Sequence, residues 1–474
     1  MPRIATLAEY YADPFVRARI LEYCGATDAA GPTCIDLAGL TGHGARVATW
    51  GRAPRYETGR LDALLAAGAD ISRSLWDAES LLIHLDVDYQ NADSPGEAFH
   101  HPAEVFFKLE PVYRAAQHVL RRFGLPLLPL MTGRGYHFTG RVPLASPVVD
   151  RLAALAPEPP LWLATLPARR PPGRPRQMGE RHAKAHAGAG MLVEFLAHLI
   201  LRRGARRSAI PIVLNGTIVG TGLAGRECTS IDLSYAGDPM DLRHMRVAFG
   251  AYQKHRFRAD IVAHRGASER PPFIAVPRGD ESLEHLVSHG REFAHAARAA
   301  RARSTHLPVV TPGVVALLDA YAASRLAQSH RRFYASPRRG LAEGDALFRA
   351  LPPSLPDCVV RPLLTPNDWL LQPASLQHVT RALMAHGMAP RDIAAIVHAR
   401  YAADYGWGRR WAWLDAETRA EFDVRVFAGL IEAGVDRAVD FNCTSAQEKD
   451  LCSRRPCGQD LRVDRARLLE AVPA

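Results

Sequence analysis

The sequence has no long hydrophobic run. Its longest apolar stretch, residues 191–201, is interrupted by Glu194 and His198, so it is too short and too polar to cross a bilayer. The first residues carry charges and lack the apolar segment of a secretory signal, which predicts a cytoplasmic location and no membrane partner. Cysteine is also sparse, with seven residues, and a reducing compartment makes a disulfide framework an unexpected use for them.

Lysine is scarce as well: four of the 59 basic residues are lysines, a skew that fits a GC-rich genome better than a function. The formal net charge of +10 suits a polyanionic partner such as nucleic acid, although it says nothing about the fold. The apolar fraction of 47% is that of an ordinary globular protein, and 474 residues are enough for two or three domains.

A predicted strand carries the first chemical signal. In SLLIHLDVDYQ, residues 80–90, alternate apolar side chains share one face, and His84, Asp86 and Asp88 share the other. Two carboxylates this close repel each other unless a cation lies between them, and oxygen ligands suit Mg²⁺ or Mn²⁺. The sequence thus predicts that removing either carboxylate leaves the fold intact. The alternative is a strand end with two solvated aspartates.

A second motif, TGRGYHF at residues 132–138, follows an amphipathic helix predicted over residues 102–123. Gly133 and the glycine two positions later leave room for the close approach of a phosphate, and Arg134 and His137 supply hydrogen-bond donors. The alternative is an ordinary turn that leads into a strand.

In order and spacing, LDVDY, TGRGYHF and the later segment TSIDLSYAGDPMDLRHMR (residues 229–246) resemble the three motifs of the archaeo-eukaryotic primase superfamily. The resemblance implies that Asp86, Asp88 and Asp232 hold two Mg²⁺ or Mn²⁺ ions at a catalytic centre. Asp238 and Asp241 are rivals for the place of Asp232, because sequence alone does not fix which carboxylate points inward.

The stretch DLRHMRVAFGAYQKHRF, residues 241–257, resembles the part of that family that holds the nucleoside triphosphate. Arg246, Lys254 and His255 are the corresponding candidates, in addition to Gly133, Arg134 and His137. The proline and serine that usually follow the arginine are replaced here by residues 247–250. As an alternative, Arg246 is a surface charge on a helix.

Four cysteines, Cys358, Cys443, Cys452 and Cys457, lie in the C-terminal region. The segments LPDCVVRPLL and FNCTSAQEKDLCSRRPCGQDL resemble the iron–sulfur domain of the primase large subunit, which implies a [4Fe–4S] cluster. Four thiolates equally bind Zn²⁺, and four unrelated core thiols are the remaining alternative. Near the N-terminus, Cys24, Cys34 and His43 lack a fourth ligand at suitable spacing, and we expect them to bind no metal.

Aromatic and basic residues alternate between the helices and the last cysteines. This mixture suits base stacking with phosphate contacts, and it equally suits core packing. The residues are Tyr405, Trp407, Arg409, Arg410, Trp411 and Trp413, followed by Arg454 and Arg455 beside the cysteines.

The resemblance predicts an α+β protein. Residues 1–303 would form a primase-polymerase catalytic domain with an RRM-like antiparallel sheet, and its basic Pro/Arg-rich insertion, about 143–187, would be an exposed loop. Residues 304–350 would be a helical linker, and residues 351–474 an all-α domain with the cysteine site.

The function implied is DNA-templated nucleotidyl transfer by a primase or primase-polymerase. Its partners would be a single-stranded DNA template and NTPs or dNTPs, with a replicative helicase as a further partner. The alternatives are a repair or end-joining polymerase of the same superfamily, and a catalytically silent nucleic-acid-binding factor.

Overall fold

Helices and strands both contribute to the fold. The computed structural model describes residues 4, 6–27, 29–40, 54–156, 179–217, 226–236, 244–257, 271–364, 372–402, 416–453 and 457–470. None of the helices in these ranges is both long and apolar enough to cross a bilayer.

Twelve strands lie in the described ranges. They are β1 (Leu37–Leu40), β2 (Arg55–Tyr56), β3 (Asp70–Ser74), β4 (Ser80–Asn91), β5 (Leu128–Met131), β6 (Gly135–Pro143), β7 (Ile212–Leu214), β8 (Glu227–Asp232), β9 (His244–Arg246), β10 (Ala251–Tyr252), β11 (Phe273–Ile274) and β12 (Val276–Pro277).

The helices of the first two thirds of the chain are α1 (Leu7–Ala12), α2 (Pro14–Tyr23), α3 (Leu61–Ala66), α4 (Glu97–His100), α5 (Pro102–Arg122), α6 (Val148–Ala153), α7 (Glu180–Gly204), α8 (Lys254–Phe257), α9 (Leu283–Arg291) and α10 (Phe293–Ala302). Those that follow are α11 (Thr311–Ala322), α12 (Arg325–Ala335), α13 (Leu341–Arg349), α14 (Asp357–Leu364), α15 (Pro373–Ala385), α16 (Pro390–Ala402), α17 (Ala416–Glu432), α18 (Cys443–Glu448) and α19 (Leu461–Glu470).

The chain divides into two units, each assembled from separate segments. The first unit comprises Met1–Leu155, Pro172–Ala189 and Leu242–Ala316. The second comprises Ala156–Pro171, Gly190–Asp241 and Leu317–Ala474. The roles predicted for residues 1–303, 304–350 and 351–474 stay predictions.

In the first unit, four antiparallel strands lie in the order β12, β5, β6, β4. The alternation predicted for β4 is confirmed, because Leu81, Ile83, Leu85 and Val87 are all buried. The predicted helix after β4 is confirmed as α5. A second antiparallel sheet of this unit has the order β2, β1, β3, β9.

Helix α5 covers one face of the first sheet. The ring of Phe106 contacts Tyr136 of β6, and the ring of Tyr113 contacts Phe138. Because successive side chains of a strand point to opposite faces, His137, which lies between these two aromatics, points away from α5. The polar residues of β4 and β6 therefore share the face that α5 leaves open.

The second unit combines a parallel strand pair, β7 with β8, and a set of helices. Helices α15 and α17 carry the most extensive buried faces among the described C-terminal helices, which agrees with the predicted α-helical character of this region. Arg381 of α15 bridges Asp436 and Asp440, and Lys449 also pairs with Asp440. These buried ion pairs tie α15 to the segment that precedes the last cysteines.

Two expectations about local structure were wrong. The predicted exposed loop at 143–187 contains α6, which buries Val148, Val149 and Leu152, and the first turns of α7. The rest of that loop, residues 157–178, lies outside the described residues. The alternative that Arg246 is a surface charge on a helix is also wrong, because Arg246 lies in strand β9 and is buried.

Gly135 on β6 lies very close to the backbone of the neighbouring strand β4. A Cβ added to Gly135 would lie 1.9 Å from the carbonyl oxygen of Val87 on β4. We predict that Gly135→Ala lowers the free energy of unfolding by about 1–3 kcal/mol, because backbone atoms must move apart. Urea denaturation measures this, with Gly59→Ala as the control, since a Cβ there meets nothing within 4 Å. Equal stability of both variants would contradict the prediction.

Candidate functional site

The register of β4 with β6 builds a polar face in the first unit. Asp86 pairs directly with His137, His84 with Thr139, and Asp88 with Gly135. Side chains of directly opposed residues lie on the same face of an antiparallel pair, at Cβ separations of about 5 Å. The two predicted motifs are therefore neighbours in space.

His84, Asp86 and His137 form a group that could hold a metal ion. Their ligand atoms all lie within 4.8 Å of one another. Asp86 Oδ1 is 3.5 Å from His137 Nε2, and the rings of His84 and His137 meet edge to face with 5.0 Å between centroids. From the sequence, His84 was predicted to lie on this face but was given no role as a metal ligand. The His-x-Asp spacing of residues 84–86 is the pattern that could have indicated that role.

Asp88 is bound to Arg134. Arg134 Nε donates a hydrogen bond of 3.0 Å to Asp88 Oδ2, and Nη2 donates a second, shorter bond to the same oxygen. Neither bond uses Oδ1. The arginine thus offsets much of the repulsion predicted between Asp88 and Asp86.

Burial controls the protonation of His137. It lowers the pKa of His137 to about 4, the charge of Asp88 raises the pKa, and the cations Arg246, Lys254 and Arg134 lower it. The imidazole is therefore neutral at pH 7, the form in which histidine binds metals.

Lys254 lies among the same charges. Burial lowers the pKa of Lys254 to about 8, and the cations Arg134 and Arg246 lower it too, whereas Asp88 and Asp70 raise it. These interactions show that three of the predicted nucleotide-binding residues, which come from two segments far apart in sequence, lie close enough to influence one another. They form a basic cluster, defined here as Arg134, Arg246 and Lys254, beside the carboxylates of β4.

Tyr252 lies at the centre of the basic cluster. The guanidinium of Arg246 is 4.4 Å from the centroid of the Tyr252 ring, and the ammonium of Lys254 is 5.7 Å from it. A Cβ added to Gly133 would lie 2.4 Å from the same ring. The space that Gly133 leaves is therefore occupied by an aromatic side chain of the protein itself. Nothing in the sequence pattern had indicated Tyr252.

Buried hydrogen bonds hold the side chain of Arg246 in place. Its Nη1 donates to Asp70 Oδ1 and, over 2.8 Å, to the carbonyl of Ala251. Asp70 Oδ2 in turn accepts the backbone N–H of Gln253 at 2.8 Å. These buried bonds fix the segment that leads into α8, which begins at Lys254. His255, by contrast, is fully buried and packs its ring against Phe99, so it contributes to the core and presents no atom to solvent.

The third predicted carboxylate, Asp232, ends β8 in the second unit. Its Oδ1 accepts hydrogen bonds from the backbone N–H of Ser234 at 2.9 Å and from the Ser234 hydroxyl at 2.6 Å. The charge of Asp232 also acts on Arg419 and Asp423 of α17. Its role as a metal ligand stays a prediction.

Several predicted residues lie outside the described ranges. They are Asp238, Asp241, His43, the aromatic and basic residues at 405–413, and Arg454 and Arg455. Cys24 and Cys34, expected to bind no metal, are both buried in the first unit.

The four C-terminal cysteines line one pocket in the second unit. Cys358 is the second residue of α14, Cys443 begins α18, and Cys452 and Cys457 follow α18 in sequence. Burial and the neighbouring sulfurs of Cys452, Cys443 and Cys457 raise the pKa of Cys358 to about 12. Without a cation this thiol therefore stays protonated at pH 7, and four thiolates could coexist here only beside a compensating positive charge, which is the chemistry of a metal or cluster site.

A buried histidine supports this pocket. His378 Nε2 lies 3.3 Å from Cys358 Sγ, and the His378 ring packs against Phe441 at a centroid distance of 5.3 Å. Hydrogen bonds from outer residues orient the ligands of metal sites. The donor set of four cysteines thus fits the predicted cofactor.

No protein-family model matches this chain, and no curated protein matches its sequence.

Proposed function

We propose that this protein is a DNA-templated nucleotidyltransferase, a primase or primase-polymerase that makes primers from NTPs or dNTPs. One observation carries the proposal: carboxylates of β4 and three cations from two distant segments of the chain meet beside one face of one sheet. An anionic triphosphate that reacts through metal ions needs this pairing of charges. A single-stranded DNA template and a replicative helicase are the proposed partners.

The carboxylates offer the oxygen ligands that Mg²⁺ and Mn²⁺ bind. Asp86 and Asp88 would hold the cations, and Arg134, which engages Asp88 Oδ2, leaves Oδ1 of that carboxylate for this role. Asp232 is proposed as the third ligand. Divalent cations held there would lower the pKa of the attacking 3′-hydroxyl and stabilise charge on the α-phosphate.

The basic cluster would bind the triphosphate. Lys254 is half-buried, and its cationic form is disfavoured by its neighbours. A bound polyanion removes that disadvantage, so part of the binding energy comes from relief of repulsion among Lys254, Arg134 and Arg246. Asp70 and Asp88 orient two of these cations before the substrate arrives.

We predict that Lys254→Met raises the KM for the nucleotide about tenfold, which corresponds to about 1.4 kcal/mol of lost binding. The charge is removed but the aliphatic stem, which lies beside Tyr252, keeps its packing. Steady-state incorporation kinetics measure KM. The control is Lys108→Met, because Lys108 is a half-buried lysine of the same unit that pairs with Glu97. An unchanged KM in Lys254→Met would remove this residue from the site.

The second unit would hold a [4Fe–4S] cluster on Cys358, Cys443, Cys452 and Cys457. We favour the cluster over Zn²⁺ because the two cysteine segments resemble the iron–sulfur domain of the primase large subunit. We propose that this unit positions the initiating nucleotide or the template end.

Synthesis on a template without a primer tests the proposed function. A primase makes product from nucleotides and unprimed single-stranded DNA, whereas a repair or end-joining polymerase extends only an existing end. A catalytically silent binding factor makes no product on either template. The intact carboxylates at residues 86, 88 and 232 support the enzyme over the silent factor.

A further inference from the structure

We propose that His84, Asp86 and His137 bind one divalent transition-metal ion, and that the two imidazoles select it over Mg²⁺. The inference deepens the proposed function because it identifies the ion at a shared residue, Asp86. It rests on the proposed function only because both use Asp86, since metal binding itself needs neither template nor nucleotide.

The separation of the ligand atoms suits a common ion. Two ligands about 2.1 Å from a metal are roughly 3.0–3.4 Å apart at octahedral or tetrahedral angles. Asp86 Oδ1 and His137 Nε2 are 3.5 Å apart, and all three ligand atoms lie within 4.8 Å of one another. A small contraction of the group brings them to bonding distance.

A chain of hydrogen bonds prepares His84. Its Nδ1 lies 2.9 Å from the hydroxyl oxygen of Thr139. The same hydroxyl also lies 3.8 Å from the sulfur of Met245 and 3.5 Å from the hydroxyl oxygen of Tyr23. Metal binding through Nε2 requires the tautomer in which His84 Nδ1 donates its hydrogen to the Thr139 oxygen. The lone pair of the ring is then on Nε2. Fixing the tautomer through the second nitrogen is the usual device of metal-binding histidines.

His137 adds a second imidazole. The ring is nine-tenths buried, and its Nδ1 has no hydrogen-bond partner among the described residues. A buried nitrogen without a hydrogen-bond partner is unfavourable, and a metal ion bound to the ring would allow the ring to adopt another orientation. Asp86 keeps 18% of its side chain exposed, which leaves the group open to solvent on one side.

The donor set determines the class of ion. Mg²⁺ prefers six oxygen ligands and gives up water reluctantly, whereas imidazole nitrogen suits the first-row transition metals. A site with two nitrogens and one carboxylate therefore favours ions such as Mn²⁺, Co²⁺ or Zn²⁺ over Mg²⁺. The four cysteines would also capture Co²⁺ and Zn²⁺, so Mn²⁺, which thiolates bind poorly, is the appropriate probe.

The test is pulsed electron paramagnetic resonance of Mn²⁺ added to the purified full-length protein without nucleotide or DNA. We expect nitrogen-14 modulation from coordinated imidazole, retained in a roughly tenfold excess of Mg²⁺. His84→Ala and His137→Ala should each reduce the modulation and weaken Mn²⁺ binding by at least about tenfold. His118→Ala, which changes an exposed histidine on α5, is the matched control and should change neither.

Thr139→Val supplies an independent variant. It removes the acceptor of His84 while it keeps the volume, so Mn²⁺ affinity should fall by about tenfold even if the histidine variants do not fold. Absence of nitrogen modulation in the wild type, or unchanged affinity in both His84→Ala and Thr139→Val, would overturn the inference. Nitrogen modulation without nucleotide incorporation would sink the proposed function alone, and incorporation without modulation would sink this inference alone.

Discussion

Replacing Asp86 by asparagine is expected to lower metal-dependent nucleotide incorporation by about 10³-fold or more, with the fold retained. Asp86 is the carboxylate nearest the centre of the polar face, opposite His137 and beside His84. Loss of one charged ligand removes several kcal/mol of transition-state stabilisation, and about 4 kcal/mol corresponds to 10³-fold. Single-turnover incorporation measures the rate, and Asp93→Asn, an exposed aspartate after β4, is the control.

The stability of the matching Asp88 variant separates the two carboxylates. Asp88→Asn weakens both hydrogen bonds from Arg134 and leaves a partly buried guanidinium without its anionic partner. We expect a loss of about 1–3 kcal/mol in the free energy of unfolding. Asp86→Asn should leave that free energy within about 0.5 kcal/mol. We therefore expect the sequence-based prediction that removing either carboxylate leaves the fold intact to hold for Asp86 and to fail for Asp88, and urea denaturation of both variants measures the difference.

Replacing Cys358 by serine should remove the visible absorption and the bound iron of anaerobically purified protein. Cys358 is the most buried of the four cysteines in the pocket, and the other three come from a segment about 90 residues away. Loss of one ligand opens the site, and structural metal sites contribute on the order of 10 kcal/mol to folding. The melting temperature of the second unit should therefore fall sharply.

Cys228→Ser is the matched control for the cluster. Cys228 is a buried cysteine of the same unit, and its thiol contacts the Thr217 carbonyl at 3.9 Å. This variant should retain its metal, its absorption and most of its stability. A colourless wild type with one zinc per chain would favour the zinc alternative, and equal metal content in both variants would contradict the four-cysteine site.

Local patterns explain which parts of the site the sequence could predict. The alternation in β4 is a property of one strand, so the common face of Asp86 and Asp88 follows from the sequence alone. The helix α5 also follows, because its apolar spacing and its basic last turn are local. The pairing of β4 with β6 does not follow from either strand alone, and its prediction also used the order of the two motifs along the chain.

Contacts between distant segments explain the rest. Asp70 and Arg246 are 176 residues apart, and no local pattern connects them. Tyr252 enters the space beside Gly133 only because β10 lies there, so the glycine has a packing role that spacing does not reveal.

The ends of helices are also poorly located by sequence patterns. The charged stretch Glu281–Ala302 has helical composition throughout, yet it is divided into α9 and α10, with Glu292 in an extended conformation between them. Gly290 lies just before this break, and Glu292 makes no side-chain cap. Ser375, a residue type that often caps helices, is buried inside α15, which begins at Pro373.

Incorporation of labelled nucleotides on unprimed single-stranded DNA, with and without Mn²⁺ or Mg²⁺, tests the account most directly. The wild type should make product only when a divalent cation is present, and Asp86→Asn should make none. If the wild type makes no product with either cation, or if the variant matches it, the polar face of β4 and β6 is no polymerising centre.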